Sequence, residues 1–194
     1  MTKTTEYNEI DLENFRQYSN VKIDTFWDST VNVLEQLYVR YTKNSDTILE
    51  INVKNNSNIS VPKRKIISAD YNNIESSLSI LEPNNKLQLI IAQPEFLNTD
   101  FDYKLVDNLK KVFNYLENNR FFILIAGDLY FHNELHLYGF QYANCLIQHG
   151  LQLKSVITLE NYKPKIIDLW RYRALLGGFN IIKHQYIFVF RKVV

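Results

Sequence analysis

The sequence contains little glycine, proline or cysteine. Its 194 residues include 5 glycines, 4 prolines and 1 cysteine. The low glycine count argues against the glycine-rich loops that usually bind phosphates and nucleotides. The single cysteine, Cys145, excludes a disulfide framework within the chain and favours a reducing compartment, so we expect a cytoplasmic protein.

A strong net charge and a long apolar run are also missing. The formal net charge is +1, which provides no bulk electrostatic argument for binding nucleic acid or an anionic membrane. No apolar run reaches the length of a transmembrane helix, and the N-terminus is polar and acidic, unlike a secretory signal. We therefore expect no membrane partner.

The chain is instead rich in aromatic residues, with 13 tyrosines and 12 phenylalanines. Hydrophobic residues make up 46% and charged residues 22%, as in ordinary soluble globular proteins. A chain of this length supports one domain with a substantial core. We expect residues 1–24 to form an arm or short helix and residues 25–194 to form a single domain.

Predicted helices and strands alternate along the chain. Apolar residues at helical spacing predict helices over 28–41, 74–81, 103–118 and 140–149, the last ended by Gly150. Runs rich in β-branched and aromatic residues predict strands over 47–53, 65–70, 87–92, 121–128, 155–162 and 184–192. This alternation predicts an α/β protein.

Two histidines, His132 and His136, flank Glu134 in a segment that we predict to be a loop. Histidines four apart on a helix can bind zinc, but HNELH differs from the HExxH motif of zinc proteases. We therefore expect a solvated loop and no metal site.

Five segments, taken in order, resemble the bacterial amino-directed DNA methyltransferases, which methylate adenine N6 or cytosine N4. They are WDSTVNVLEQLYVRYTKNSDTILEI, KIISADYNNI, QLIIAQPEFLN, the stretch that begins FFILIAGD, and WRYRALLGGFNIIKHQYIFVFRK. QLIIAQPEFLN is similar to the family's catalytic motif DLIIxxPPYLN. The resemblance covers about residues 26–192. It implies a Rossmann-like methyltransferase sheet, mostly parallel, with an antiparallel final strand.

The first departure from the family concerns the cofactor S-adenosylmethionine. The family's first strand runs into a glycine-rich turn around the methionine moiety, whereas no glycine follows Glu50 before the next strand. The 11 residues from Lys54 to Arg64 are also too few for a full βαβ unit, so we predict a truncated first crossover. Glu50 and Asp70, the latter resembling the adenine-contacting acid, remain as cofactor-binding candidates. No cofactor is expected in the usual manner.

The second departure lies in the catalytic motif, where the family has (D/N/S/H)-P-P-(Y/F/W) and this chain has Gln93-Pro94-Glu95-Phe96. By resemblance, Gln93 could accept a hydrogen bond from a target amino group and Phe96 could stack on a flipped base. Glu95 replaces the second proline, which loosens the turn and adds a negative charge. The resemblance therefore implies a degenerate site that does not catalyse methyl transfer.

Two basic segments are candidates for contacting nucleic acid: Lys63, Arg64 and Lys65 in the first, and Arg171, Tyr172 and Arg173 in the second. Arginines beside an aromatic ring suit phosphate contact combined with base stacking. The alternatives are a solvated basic run and a helix face packed through Trp170. For Asp128 and His184, the resemblance implies structural roles.

Three functions are compatible with these observations. The leading hypothesis is a catalytically inactive methyltransferase-like accessory subunit that binds a protein partner, DNA or both. The alternative is an active amino-methyltransferase whose S-adenosylmethionine site is completed by the loop after Val53 or by a partner chain. The third is a sheet reused as an interaction module, for example in a replication complex.

Overall fold

A computed structural model describes residues 24–53, 63–79, 86–94, 101–132, 134–160, 172, 175–177, 182 and 184–193. The helices of this part of the chain are α1 (Val33–Tyr41), α2 (Ile74–Leu78), α3 (Tyr103–Phe113) and α4 (Tyr138–Gln148). The strands are β1 (Phe26–Trp27), β2 (Thr47–Ile51), β3 (Lys65–Ala69), β4 (Leu87–Ala92), β5 (Leu116–Ala126), β6 (Leu129–Phe131), β7 (Glu134–His136), β8 (Leu151–Glu160) and β9 (His184–Lys192). The predicted arm, residues 1–24, lies outside this part except for Asp24.

Seven strands form one sheet in the order β1-β8-β9-β5-β4-β2-β3. Strand β2 pairs in parallel with β3 and β4, and the pairs β4–β5 and β1–β8 are also parallel. Strand β9 runs antiparallel to both of its neighbours, β5 and β8. The predicted α/β class, with a mostly parallel sheet and an antiparallel final strand, is confirmed.

The short first crossover joins two strands that lie side by side. Strand β3 pairs directly with β2, with Ile66 opposite Ile48 and Ala69 opposite Ile51. The connection between Ile51 and Lys65 is far too short for the helix of a full βαβ unit, in agreement with the predicted truncation of the first crossover. Within the described residues, β3 is the last strand on this side of the sheet.

The sheet separates two apolar layers. Because successive side chains of a strand point to opposite faces, Leu49 and Ile51 join the layer that also contains residues of α2, α3 and α4. Ile48 joins the other layer, together with Trp27 and the buried residues of α1. The interior strand β4 contributes to both layers, which explains why five of its six residues are apolar.

The predicted boundary between α3 and β5 is wrong. The helix ends at Phe113 instead of residue 118, and β5 begins at Leu116 instead of Phe121. Leu116 pairs with Leu87 of β4, and the Lys192 ammonium donates hydrogen bonds to the carbonyl oxygens of Phe113 (2.8 Å) and Leu116 (2.7 Å). Tertiary contacts thus override the helical spacing of residues 114–118.

Three further local predictions need correction. The segment with two histidines is a hairpin, β6–β7, in which Leu129 pairs with His136. Strand β8 begins at Leu151, opposite Lys192, four residues earlier than predicted. Helix α1 begins at Val33 instead of residue 28 because the Asn32 side chain accepts the Glu35 N–H at 3.3 Å and caps the helix there.

In the part of the chain described, no helix is long and apolar enough to cross a membrane.

Candidate functional site

The carboxyl ends of four neighbouring parallel strands meet at one edge of the sheet, which we call the carboxyl edge. Asn52 follows β2, Asp70 follows β3, Gln93 follows β4, and Gly127 and Asp128 follow β5. Open α/β sheets bind their ligands at this kind of edge. The structure therefore places Asp70 and Gln93, two of the residues predicted from the sequence, at the same edge. It places Glu50 within β2, the strand between β3 and β4.

Glu50 is a buried carboxyl group next to the last residue of β2. Its side chain is only 4% exposed and, by strand alternation, lies on the same face as Ile48, the face covered by α1. Its Oε1 atom has no hydrogen-bond partner among the described residues. Burial raises the pKa of Glu50, which favours the protonated form. An isolated acceptor of this kind is unusual in a folded protein and marks Glu50 as a position to test.

The turn after β2 is closed by hydrogen bonds within the chain. Asn52 has a left-handed backbone conformation (φ 52°), which asparagine tolerates better than most residues. Its N–H donates to the carbonyl oxygen of Ala69 at 3.0 Å, and its side-chain Oδ1 accepts the Tyr71 N–H at 3.1 Å. Asn52 therefore connects the end of β2 to the end of β3 at the position where the family that the sequence resembles has its glycine-rich turn.

The other amide groups near this turn are engaged as well. The exposed Asp70 uses its Oδ1 to accept the Asn72 N–H at 2.7 Å, and its carbonyl oxygen accepts the Asn73 N–H at 3.0 Å. The Gln93 N–H donates to the carbonyl oxygen of Ile51 at 3.0 Å. Asp70 thus stabilises its own turn, and Gln93 is held against β2.

Pro94 is buried at the end of β4. The rest of the degenerate motif, Glu95 and Phe96, lies outside the described residues, as do Arg171 and Arg173. Tyr172 is described and is 62% exposed.

A cluster of three titratable side chains lies at the β5 end of the carboxyl edge. Asp128 Oδ1 has no hydrogen-bond partner among the described residues, and burial raises the pKa of this carboxyl, while the Gly139 N–H and the charge of His184 act to lower it. His184 Nε2 lies 2.7 Å from the hydroxyl of Tyr186, and burial together with the Asp128 charge raises the pKa of that tyrosine. Sequence reasoning treated Asp128 and His184 separately, because only the pairing of β5 with β9 brings them together.

A search of solved structures shows which proteins share this architecture. A candidate methyltransferase from Bacillus halodurans C-125 superposes with a TM-score of 0.52 at 7% sequence identity, and the match covers 84% of this chain and 99% of that chain. The fold is that of a methyltransferase. No protein-family model matches the sequence, and a search of curated protein sequences found no match.

Two other structures with a methyltransferase fold are similar at a lower level. A candidate DNA modification methylase from Thermus thermophilus, complexed with S-adenosyl-L-methionine, has a TM-score of 0.47 and 13% identity over 76% of this chain and 56% of that chain. A complex of the Haloferax volcanii Trm112 methyltransferase activator with a candidate methyltransferase has a TM-score of 0.47 and 9% identity, covering 80% and 86%. This chain spans little more than half the length of the Thermus protein.

The predicted basic run lies at the opposite edge of this methyltransferase-fold sheet. Lys63, Arg64 and Lys65 are at the amino end of β3, whereas Asp70 follows its carboxyl end. A strand of this length spans about 17 Å. Arg64 donates from Nε to Thr42 Oγ1 at 2.6 Å and from Nη2 to the Thr42 carbonyl oxygen at 3.1 Å. The run therefore does not converge with the carboxyl edge, and its arginine has a structural contact.

A polar groove of about 500 Å³ beside the carboxyl edge was missed by sequence reasoning. It runs between residues 71–76 and helix α3, which contributes Lys104, Asn108 and Lys111. Asn108 donates to the carbonyl oxygen of Tyr71 at 3.3 Å, and Lys111 forms a 2.7 Å ion pair with Glu75. No motif marks the groove, because it depends on the packing of α2 against α3.

The two histidines of the hairpin have different surroundings. His132 is exposed, and the ring of His136 stacks on Tyr138 with 5.3 Å between centroids. Among the residues that the structure describes, no group of three potential metal ligands comes together. Cys145 is half-buried and packs against the core.

Proposed function

We propose that this chain is a catalytically inactive methyltransferase-like protein that serves as an accessory subunit and binds a protein partner, DNA or both. The observation that carries the proposal is the use of backbone amides at the carboxyl edge. The N–H groups of Asn52, Tyr71 and Gln93 all donate to oxygen atoms of the chain itself.

Engaged amides weaken the case for the usual cofactor. A nucleotide-like ligand at the end of a first strand is held by backbone N–H groups that glycine allows to approach closely. Here Asn52 occupies the left-handed position, and its side chain bonds to the Tyr71 amide. A cofactor bound in the usual manner would have to replace these internal bonds without gaining a glycine turn.

The carboxyl edge also carries apolar surface suited to a partner. Tyr103 at the start of α3 is 72% exposed, Leu135 in the hairpin is 55% exposed, and Phe140 in the first turn of α4 is 45% exposed. These elements follow β4 and β5 and therefore begin at the same edge. Aromatic residues are enriched at interaction surfaces, so these exposed side chains are candidate partner contacts.

One observation favours the alternative, an active amino-methyltransferase completed by a partner. The buried Oε1 of Glu50 is an acceptor without a partner among the described residues, and a donor group of S-adenosylmethionine could satisfy it. The exposed Asp70 would be a second contact at the same edge. Glu50 and Asp70 thus support this alternative, whereas the engaged amides of Asn52, Tyr71 and Gln93 oppose it.

Isothermal titration with S-adenosylmethionine and S-adenosylhomocysteine separates the two functions. We expect no heat of binding with either ligand up to millimolar concentration, while circular dichroism shows the protein to be folded. Micromolar binding, followed by methyl transfer to adenine N6 or cytosine N4 in duplex DNA, would overturn the proposal. A parallel titration with unlabelled duplex at two salt concentrations then tests the DNA-binding role, because phosphate contacts weaken as salt rises.

A further inference from the structure

Strand β3 is an exposed edge. It is the last strand on its side of the described sheet, and four of its five residues are exposed or half-exposed, including Ile66 at 40%. Natural proteins usually cover or interrupt such an edge, because its unpaired peptide groups bind other strands. We propose that the outer edge of β3 is an interface at which two copies of this chain pair in antiparallel orientation.

The directions of the peptide groups show which residues can form this pairing. The Lys65 N–H donates to the Asp46 carbonyl oxygen, and the Ala69 carbonyl oxygen accepts the Asn52 N–H, both at 3.0 Å. Peptide groups of Lys65 and Ala69 therefore point towards β2. Because the direction alternates along a strand, those of Ile66 and Ser68 point outward.

The sequence around β3 complements itself in the antiparallel orientation. In a register centred on Ile67, Ile66 of one copy faces Ser68 of the other, and the outward N–H and C=O groups of these two residues hydrogen-bond to each other. By symmetry, this residue pair occurs twice in the dimer. The same register places Arg64 opposite Asp70 of the second copy. Opposite charges at facing cross-strand positions stabilise a pair of strands. Moving the centre to Ile66 or Ser68 removes this match.

The pairing also buries an exposed aliphatic side chain. The two copies of Ile66 are diagonal neighbours on one face of the combined sheet, about 7–8 Å apart, and each is covered in part by the facing strand. Arg64 keeps its positive charge while it donates to Thr42, so the attraction to Asp70 of the second copy does not require that contact to break. A single strand pair covers less area than a permanent dimer, so the dimer should depend on protein concentration.

The interface goes beyond the accessory function, and its test does not involve the cofactor. Sedimentation of the full-length protein over a wide concentration range should show conversion from the 23.0 kDa monomer to a species of twice that mass. Ile66→Lys should weaken dimerisation by tenfold or more, because it places two ammonium groups at the interface. Ser68→Pro should do the same, since it removes an outward N–H without affecting the bonds to β2.

Ile147→Lys is the matched control. Ile147 lies on α4 and is 43% exposed, nearly the same as Ile66, but it is remote from β3. We expect this variant to dimerise like the unaltered protein, and all three variants to keep the circular dichroism spectrum. A protein that remains monomeric at its highest soluble concentration, or a dimer that Ile66→Lys leaves intact, would overturn the interface.

The register has its own test. Asp70→Lys brings a positive charge opposite Arg64 of the second copy, whereas Asp70→Asn only removes the attraction. We expect the lysine variant to raise the dissociation constant several-fold more than the asparagine variant, and the difference to shrink at high salt. Equal effects of the two substitutions would show that the strands do not pair in the register centred on Ile67.

Discussion

At the scale of single residues, Glu50 is a buried carboxyl group whose hydrogen-bonding capacity is incompletely satisfied within the described structure. Its carboxyl group is buried on the apolar face covered by α1, and one of its oxygen atoms has no hydrogen-bond partner among the described residues. A charge in this environment is costly, so burial raises the pKa. Because Glu50 lowers the stability of the chain on its own, it is a candidate for contact with a ligand or a partner protein.

Glu50→Gln should increase stability at neutral pH. The pKa of Glu50 is raised above its ordinary value of 4.5, so the unaltered protein loses stability as the pH rises from 4.5 towards the folded-state pKa. Glutamine removes this ionisation and keeps the shape. We expect the free energies of unfolding to be similar at pH 4 and the variant to be more stable by about 1 kcal/mol at pH 7.5.

Urea denaturation at both pH values provides the measurement. Glu117→Gln is the matched control, because it makes the same substitution at a half-exposed position, where the carboxylate accepts a hydrogen bond from Arg120. A Glu50→Gln variant that is less stable than the unaltered protein at pH 7.5 would mean that the carboxylate form has a favourable contact in the folded protein.

At the scale of elements, Arg64 joins the end of α1 to the start of β3. It donates to both the side-chain and the main-chain oxygen of Thr42, which is the C-terminal cap residue of α1. Thr42 is buried and its hydroxyl also donates to the Tyr38 carbonyl oxygen at 2.6 Å. The arginine that composition alone marked as a nucleic-acid contact therefore holds two elements together.

Substitution of Arg64 should lower the free energy of unfolding. Arg64→Ala removes two hydrogen bonds to a buried residue, and we expect a loss of about 1–2 kcal/mol in the free energy of unfolding. Lys63→Ala, at the exposed neighbouring position, should change it by less than about 0.5 kcal/mol. Guanidinium denaturation checks both, and equal effects of the two variants would contradict a structural role for Arg64.

The elements also show where sequence patterns fail. Strand β4 was predicted with its observed bounds, because six consecutive residues, five of them apolar, flanked by polar turns fit only a buried strand. The end of α3 was misplaced because residues 114–118 keep a helical spacing of apolar residues. Pairing of Leu116 with Leu87 decides that boundary, and such pairing is not encoded locally.

At the scale of the whole molecule, the sheet has a well-protected centre and exposed margins. The buried residues of β4, β5 and β9 belong to both apolar layers. Most residues of β3 and β7 are exposed, and Leu129 and Tyr130 of β6 are half-buried. Local opening should therefore be easiest at the margins, where few apolar contacts hold the backbone.

Hydrogen exchange should follow this gradient. We expect the slowest backbone amides in β4, in the second half of β5 and in β9, and exchange at least about 100-fold faster in the β6–β7 hairpin. Exchange followed by mass spectrometry at two protein concentrations also tests the β3 interface, because pairing of two copies should slow β3 as the concentration rises. Rapid exchange of β4 would contradict the assignment of β4 as a central strand.

The sequence by itself determined the α/β class, the order of the four main helices and six main strands, and the positions of Glu50, Asp70 and Gln93 near strand ends. These features depend on local periodicity and on residues within a few positions of one another. Only the tertiary structure decided that the amides of Asn52, Tyr71 and Gln93 are engaged within the chain, that Arg64 binds Thr42, and that β3 forms an exposed edge. Each of these depends on contacts between segments distant in sequence, which no local pattern specifies.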